Sequence, residues 1–159
     1  MNKANERSFQ IPFAHWLAHE GHTVIHVSRH CAMELGKDVL AIAPDGVPCA
    51  YQLKGLDGGR MTLAKWRADL SSQIHPLVHG RLVHPSLENK QHHRSYIVMN
   101  GDLDEEVQRE IDDFNRSNAD AGQPERRVET ILKGQLFQAF KDLQSDFWAT
   151  NLNDVKTYL

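Results

Sequence analysis

Three polar side chains interrupt two apolar segments in the first third of the chain. Asp38 opens the segment DVLAIA, and Gln52 and Lys54 stand two residues apart in CAYQLK. A carboxylate and an amide oxygen are hard ligands suited to Mg²⁺, which binds few protein carboxylates and keeps several waters. A nearby lysine can orient a water molecule and offset the negative charge that builds on a reacting phosphorus centre. These residue types therefore suit the hydrolysis of a phosphodiester.

Such chemistry requires neighbouring strands that bring the three side chains together. Both segments are rich in β-prone residues, and the turn Pro44-Asp45-Gly46 separates them. Period-two alternation puts Gln52 and Lys54 on one sheet face, and hairpin pairing brings Asp38 close to them. The alternative is structural, with Asp38 capping a turn and the other two acting as ordinary strand-end and edge residues.

The rest of the chain alternates helices and strands. Apolar periodicity predicts helices over 6–20, 63–80, 102–118 and onward from 134, and strands over 23–27, 38–43, 49–54, 96–99 and 128–132. The order αβββαβαβα predicts an α/β fold with a mixed central sheet flanked by helices. Because residues 145–159 lack a clear period, we expect a domain over 1–144 followed by a tail or linker.

Composition narrows the class of protein. The chain has 159 residues, 40% of them apolar, and a formal charge of −3. These values predict one globular domain without the bulk positive charge of many nucleic-acid-binding proteins. The absence of a long apolar run and of a signal-peptide pattern predicts a cytoplasmic protein without membrane contact. Cys31 and Cys49 form no CxxC pair, which favours reduced, structural thiols.

Five histidines follow one another at intervals of three or four residues, as zinc ligands on one helix would: His15, His19, His22, His26 and His30. Gly21 and the β-rich run after it divide this series between a helix and a strand. The segment His19-Glu20-Gly21-His22 is also one residue shorter than HExxH. A small zinc protein is therefore the least favoured alternative.

The segment around Asp38 resembles a known nuclease motif. The residues Glu34-Leu-Gly-Lys-Asp38, a 13-residue interval and Gln52-Leu-Lys54 are similar to PD-(D/E)XK in its QxK variant, as found in Mrr-type restriction endonucleases. The order of the later elements is also similar, and the resemblance spans about residues 9–140. It implies a restriction-endonuclease-like αβββαβ core.

The resemblance also implies roles for the residues of the motif. Asp38 is expected as the metal-binding acid, Gln52 as the second ligand and Lys54 as the catalytic lysine, with Leu53 as a further metal contact. The implied cofactor is Mg²⁺, for which Mn²⁺ can substitute.

Members of this family commonly carry another acid on the first helix, where this chain has Gln10. Either Glu6, Glu20 or Glu34 then takes its place, with Glu6 or Glu34 favoured, or the affinity for the metal is weaker. Gln73 on the second helix resembles a glutamine that often faces the same pocket.

Eight basic residues fall between 37 and 94, whereas acids are concentrated between 102 and 113. This asymmetry predicts a local nucleic-acid track formed by Arg60, Lys65, Arg67, Gln73, His92, His93 and Arg94. The alternative is that these residues are ordinary solvated loop positions. So few basic residues predict modest, salt-sensitive affinity, which recruitment by another domain or by oligomerisation would offset.

Taken with the resemblance, these features predict a Mg²⁺-dependent DNA endonuclease. The family implies the effector domain of a restriction or antiphage defence protein, with DNA as partner, a fused or associated sensor domain and a homo-oligomer. The alternative is a catalytically inactive nucleic-acid-binding module on the same fold. The sequence leaves open whether the substrate is DNA or RNA, and duplex or single strand.

Overall fold

The chain folds around a central sheet of five strands. A computed structural model describes residues 3–28, 37–57, 59–87 and 92–158. Its elements, in chain order, are α1 (Lys3–His19), β1 (Thr23–Val27), β2 (Val39–Ile42), β3 (Pro48–Lys54), β4 (Arg60–Met61), α2 (Leu63–Lys65), a π-helical turn (Trp66–Leu70), α3 (Ser71–His79), β5 (Arg94–Met99), β6 (Asp102–Leu103), α4 (Glu105–Asp120), β7 (Val128–Ile131) and α5 (Lys133–Tyr158).

The sheet is mixed, with the spatial order β1-β2-β3-β5-β7. The strands β1, β2 and β3 pair antiparallel, whereas β3, β5 and β7 run parallel. Parallel neighbours need crossover connections, which the helical segment α2–α3 and the helix α4 supply. The structure thus confirms an α/β fold with a mixed sheet and, apart from the two-residue strand β4, the predicted αβββαβ order of its first elements.

Apolar side chains cover both faces of this sheet. One core contains Phe13 and Leu17 of α1 with Leu136 of α5, and the other contains Trp66, Leu77 and Ile111 from the helices on the opposite face. All seven residues of β3 are buried between these layers. A central strand covered on both faces is the most shielded part of such a fold, and it is the strand that carries Gln52 and Lys54.

Several helices differ from the sequence-based expectation, and α4 begins at Glu105 rather than at residue 102 because Asp102–Leu103 form β6. The helix α1 begins at Lys3 rather than near residue 6, and Pro12 lies in its interior. The expected helix over 63–80 contains the π-helical turn, which brings Trp66 and Leu70 into the core. The extra residue of a π turn shifts the helical phase, so a period of 3.6 alone does not reveal it.

The last helix extends beyond the predicted domain boundary. The helix α5 runs to Tyr158, so most of the segment expected as a tail is helical. A domain boundary at residue 144 remains a prediction. Among the described residues, no helix combines the length and apolarity needed to cross a bilayer.

The small parallel pair β4–β6 depends on close contact between two glycines. A Cβ atom placed on Gly101 would lie 2.5 Å from the carbonyl oxygen of Gly59. That oxygen accepts a hydrogen bond from the Asp102 N–H over 2.9 Å. Gly101→Ala must therefore separate two backbones, and we expect it to lower the free energy of unfolding by about 1–3 kcal/mol.

Urea denaturation measures this loss, and Gly134→Ala is the matched control. A Cβ at Gly134, in α5, meets nothing within 4 Å among the described residues. Alanine in a helix is favoured over glycine, so the control is expected to keep or slightly raise stability. Equal stability of both variants would contradict the packing argument.

Candidate active site at the end of strand β3

Asp38 lies immediately before β2, at the point where pairing between β2 and β3 ends. The last paired residues are Val39 and Tyr51, and the Asp38 N–H then donates to the Tyr51 carbonyl over 2.9 Å. Beyond this point the Asp38 side chain contacts β3 directly. Its Oδ2 accepts a hydrogen bond from the Leu53 N–H over 2.7 Å. The carboxylate thus continues the hydrogen bonding between the two strands.

Gln52 provides the second contact to this carboxylate. Its Nε2 donates to Asp38 Oδ2 over 3.1 Å, so the predicted closeness of the two residues is observed. The Gln52 Oε1 atom is buried and accepts no hydrogen bond from any residue that the structure describes. A buried amide oxygen without a donor is unfavourable unless a cation or an outside donor contacts it. This oxygen is therefore suited to binding a metal ion.

Lys54 lies on the same sheet face as Gln52, as the period-two pattern predicts. Their register partners on β5, Ile97 and Met99, both belong to the core beneath α2, α3 and α4. The Lys54 side chain is only 7% exposed. The Leu53 side chain packs in the opposite core, so only the main-chain oxygen of Leu53 can contact an ion at this site.

None of the described contacts of Asp38, Gln52 and Lys54 involves the additional acid predicted at Glu6, Glu20 or Glu34. Glu34 lies outside the described residues, as does the side chain of Glu6, whose backbone is in α1. Glu20 is exposed, with its Oε1 3.7 Å from Nδ1 of His19. Gln10, at the position that departs from the family pattern, is buried, and its amide nitrogen donates to main-chain carbonyls. An N–H donor cannot bind a cation, so the Gln10 nitrogen is not a metal ligand.

Sequence reasoning treated Gln10 as a departure from a motif and missed its structural contacts. It lies among Phe9, Phe13 and Leu17 on the buried side of α1. A long polar residue within an apolar helical stripe is the sequence signal that could have revealed it, because a buried amide requires hydrogen-bond partners.

Gln73 lies in α3, where its contact is local. Its Nε2 donates to the Asp69 carbonyl over 3.0 Å, one turn earlier in the chain. This bond satisfies a main-chain oxygen within the π-helical turn. A role for Gln73 in the pocket or in nucleic-acid binding remains a prediction.

Three arginines of the predicted nucleic-acid track form ion pairs. Arg60 contacts Asp104, Arg67 contacts Glu110 and Arg94 contacts Asp45. The Arg94 guanidinium holds the pKa of the exposed Asp45 carboxyl below its usual value. Lys65 is also engaged, because its Nζ donates to the Asp57 carbonyl over 3.3 Å. A phosphate would have to displace or share these partners.

The last residues of the predicted track lie toward the other end of the sheet. Arg94 is in register with Cys49, five positions before Lys54 on β3, which corresponds to roughly 16 Å along a strand. His92 is exposed, whereas His93 is half-buried and lies 2.7 Å from the Leu77 carbonyl through its Nε2. Burial lowers the pKa of His93. The register therefore separates Arg94 along the sheet from the site formed by Asp38, Gln52 and Lys54, hereafter the Asp38 site.

The histidine series is divided as its sequence predicts. His15 and His19 lie in α1 and His26 lies in β1, while His30 is outside the described residues. Within the described ranges, no group of three or more histidine, cysteine, aspartate or glutamate side chains could hold a metal ion. The Asp38 site differs in kind, because its oxygen atoms come from one carboxylate, one amide and the main chain.

Comparison with known proteins gives a distant likeness in structure and none in sequence. No protein-family model and no curated protein match the chain. Among solved structures, the chain is similar to the one described as MspJI Restriction Endonuclease in Complex with 27-mer Oligonucleotide, with 14% sequence identity and a TM-score of 0.42. The likeness covers 88% of this chain and 31% of that chain.

Proposed function

We propose that this chain is a metal-dependent nuclease that hydrolyses DNA phosphodiester bonds at the Asp38 site. The observation that carries the proposal is the Gln52 Oε1 atom, a buried oxygen without a hydrogen-bond donor among the described residues. It belongs to an amide already bonded to Asp38, on the same sheet face as the buried Lys54. A carboxylate, an orphan amide oxygen and a buried lysine together suit phosphoryl chemistry.

The residues present fit a magnesium ion. Asp38 supplies the negative charge, and Gln52 Oε1 and the Leu53 main-chain oxygen supply neutral oxygen atoms, in the ligand class that Mg²⁺ prefers. When bound, the ion contributes positive charge at the phosphate and acidifies a water molecule. Two N–H donors on Asp38 Oδ2 restrict the rotation of the carboxylate before any ligand arrives.

Lys54 is proposed as the residue that acts on the reacting phosphate. Its ammonium group carries three N–H donors, which can orient the attacking water and stabilise negative charge on phosphate oxygens. Such stabilisation is stronger in a shielded site than in water, and the Lys54 side chain is 7% exposed. The central position of β3 limits the movement of the backbone that carries the lysine.

The ion pairs of three arginines affect how strongly this chain would bind DNA. Arg60, Arg67 and Arg94 are each paired with a carboxylate, which reduces the charge available to phosphates. We therefore expect weak, salt-sensitive binding of DNA by this chain alone. A further domain or a second copy of the chain would supply the remaining affinity.

The second candidate is an inactive nucleic-acid-binding module. It is favoured by Gln10, because the amide nitrogen that replaces the helix acid is bonded to main-chain carbonyls. Such a module would bind DNA equally with and without a divalent ion. Metal dependence of cleavage therefore separates the two functions.

The test is incubation of the purified chain with supercoiled plasmid in Mg²⁺, in Mn²⁺ or in EDTA. We expect nicked and linear products with either metal and none in EDTA, since the single described carboxylate of the site cannot catalyse the reaction alone. A mobility-shift assay on the same samples measures binding. Binding without cleavage in any metal would favour the inactive module, and cleavage in EDTA would contradict the metal-dependent site.

A further inference from the structure

Gln10 is a buried polar residue that contacts the main chain of Asp38 and that the proposed mechanism leaves unused. It is 5% exposed and lies in α1. Its Nε2 donates to the Ser28 carbonyl over 3.0 Å and lies 3.4 Å from the Asp38 carbonyl. One amide group therefore links the first helix to two main-chain carbonyls, one immediately after β1 and the other immediately before β2.

Both carbonyls belong to the end of the β1–β2 ladder. The last register pair is Val27 with Val39, and the Ser28 N–H then donates to the Asp38 carbonyl over 2.7 Å. Ser28 and Asp38 thus lie one residue beyond the strands. At such an end, main-chain torsions are less restrained than inside a ladder, so a side-chain donor has a larger effect there.

We propose that Gln10 is a positioning residue for the Asp38 carboxylate, acting through the Asp38 main chain. The inference rests on the proposed function, because it concerns the same metal-binding acid. Rotation of the Asp38 backbone would move Oδ2 away from the Leu53 N–H and from Gln52 Nε2, now 2.7 Å and 3.1 Å distant. By fixing that backbone, Gln10 keeps the carboxylate beside the Gln52 amide.

The chemistry of the contact explains why an amide stands at this position. Both partners of Gln10 are carbonyl oxygens, which only accept hydrogen bonds. A carboxylate in the same place would have no proton to donate and would face two oxygen dipoles. An amide is the side chain of matching length that carries two donors without charge. An amide that supports Asp38 therefore suits position 10 better than a second carboxylate does.

The experiment compares Gln10→Met with the wild type in Mn²⁺ binding by calorimetry and in plasmid cleavage. Methionine has similar length and suits an apolar environment, so the variant keeps the packing and loses only the donors. Groups that orient metal ligands typically change affinity or activity by 10–100-fold, so we expect Kd for Mn²⁺ to rise and kcat to fall by about ten-fold. The KM for DNA is expected to stay unchanged.

Asn115→Ala is the matched control for general loss of stability. Asn115 of α4 bonds both to the N–H of Val128, over 2.8 Å, and to its carbonyl, over 3.0 Å. It thus clamps a strand backbone as Gln10 does, but on β7, at the far edge of the sheet. We expect this control to lower the urea midpoint and to bind Mn²⁺ as the wild type does. A similar loss of Mn²⁺ affinity in the control would overturn the positioning role.

A second variant tests the donor directly. Gln10→Leu removes both donors and keeps an apolar side chain on the buried side of α1. Its affinity for Mn²⁺ is expected to fall as that of Gln10→Met does. Wild-type affinity in this variant would argue against the donor role.

Asp38→Asn distinguishes the positioning role of Gln10 from the metal-binding role of Asp38. Loss of Mn²⁺ binding in Asp38→Asn together with wild-type binding in Gln10→Met would overturn the positioning role and leave the proposed function standing. Absence of Mn²⁺ binding by the wild type, unchanged in Asp38→Asn, would instead overturn the proposed function itself.

Discussion

Asp38→Asn is expected to reduce metal-dependent cleavage of plasmid DNA by on the order of 10³-fold, the loss typical of a removed electrostatic partner in a shielded site. Asparagine retains the size of the side chain and an oxygen that can accept from the Leu53 N–H, the 2.7 Å contact made by Asp38. What it loses is the negative charge that holds a divalent cation. The fold should therefore persist while the metal affinity falls.

The measurement is the rate of plasmid nicking over a range of Mg²⁺ and Mn²⁺ concentrations, with urea denaturation in EDTA as the check on folding. Asp112→Asn is the control, because it makes the same chemical change at an exposed residue of α4 that accepts a hydrogen bond from Gln108. We expect the control to cleave at the wild-type rate. Equal rates for Asp38→Asn and the wild type would exclude Asp38 as the metal-binding acid.

Lys54→Met is expected to lower kcat by about 10²- to 10³-fold. The affinity for Mn²⁺ is expected to stay unchanged. The side chain is 7% exposed, and methionine has a similar length without the ammonium group. Because Asp38, Gln52 and the Leu53 carbonyl remain, the proposed metal ligands are unchanged. Loss of catalysis without loss of metal binding would distinguish the lysine from the acid.

Calorimetry with Mn²⁺ measures the metal affinity and plasmid nicking measures the catalytic rate, both on the same preparation. Lys54→Arg is expected to remain impaired, since a planar guanidinium is larger and places its donors differently from a compact ammonium. Lys133→Met, at an exposed residue at the start of α5, controls for the removal of one positive charge. A similar loss of kcat in Lys133→Met would assign the effect to net charge rather than to the site.

The ion pairs of Arg60 and Arg67 bear on how strongly these arginines could bind a phosphate. Arg67 donates to Glu110 of α4 over 2.7 Å, and Arg60 contacts Asp104 at the start of the same helix. Exposed ion pairs of this kind contribute little to stability, so a phosphate can compete for the guanidinium at modest cost. Binding of DNA through these arginines would then be weak and dependent on salt.

The sequence by itself determined the five strands of the main sheet, the approximate positions of its helices and the closeness of Asp38 and Gln52. The turn at Asp45-Gly46 and the β-prone segments around it are local signals, and they sufficed to predict the β2–β3 pairing. Period-two alternation is a property of any strand, so it placed Gln52 and Lys54 on one face of β3. Helices and strands elsewhere were predicted for the same reason, because their periodicity is written in contiguous residues.

Only the tertiary structure decided which partners the polar side chains find. Gln10 contacts Ser28 and Asp38, residues 18 and 28 positions away, and no local pattern encodes those contacts. The pairing of Arg94 with Asp45 and its distance from Lys54 likewise depend on the register of β5 against β3. Hydrogen bonds and ion pairs form between groups that folding brings together, whereas periodicity reports only which side of an element is buried. The closeness of Asp38 and Gln52 could therefore be predicted from the sequence, whereas the hydrogen bonds of Gln10 could not.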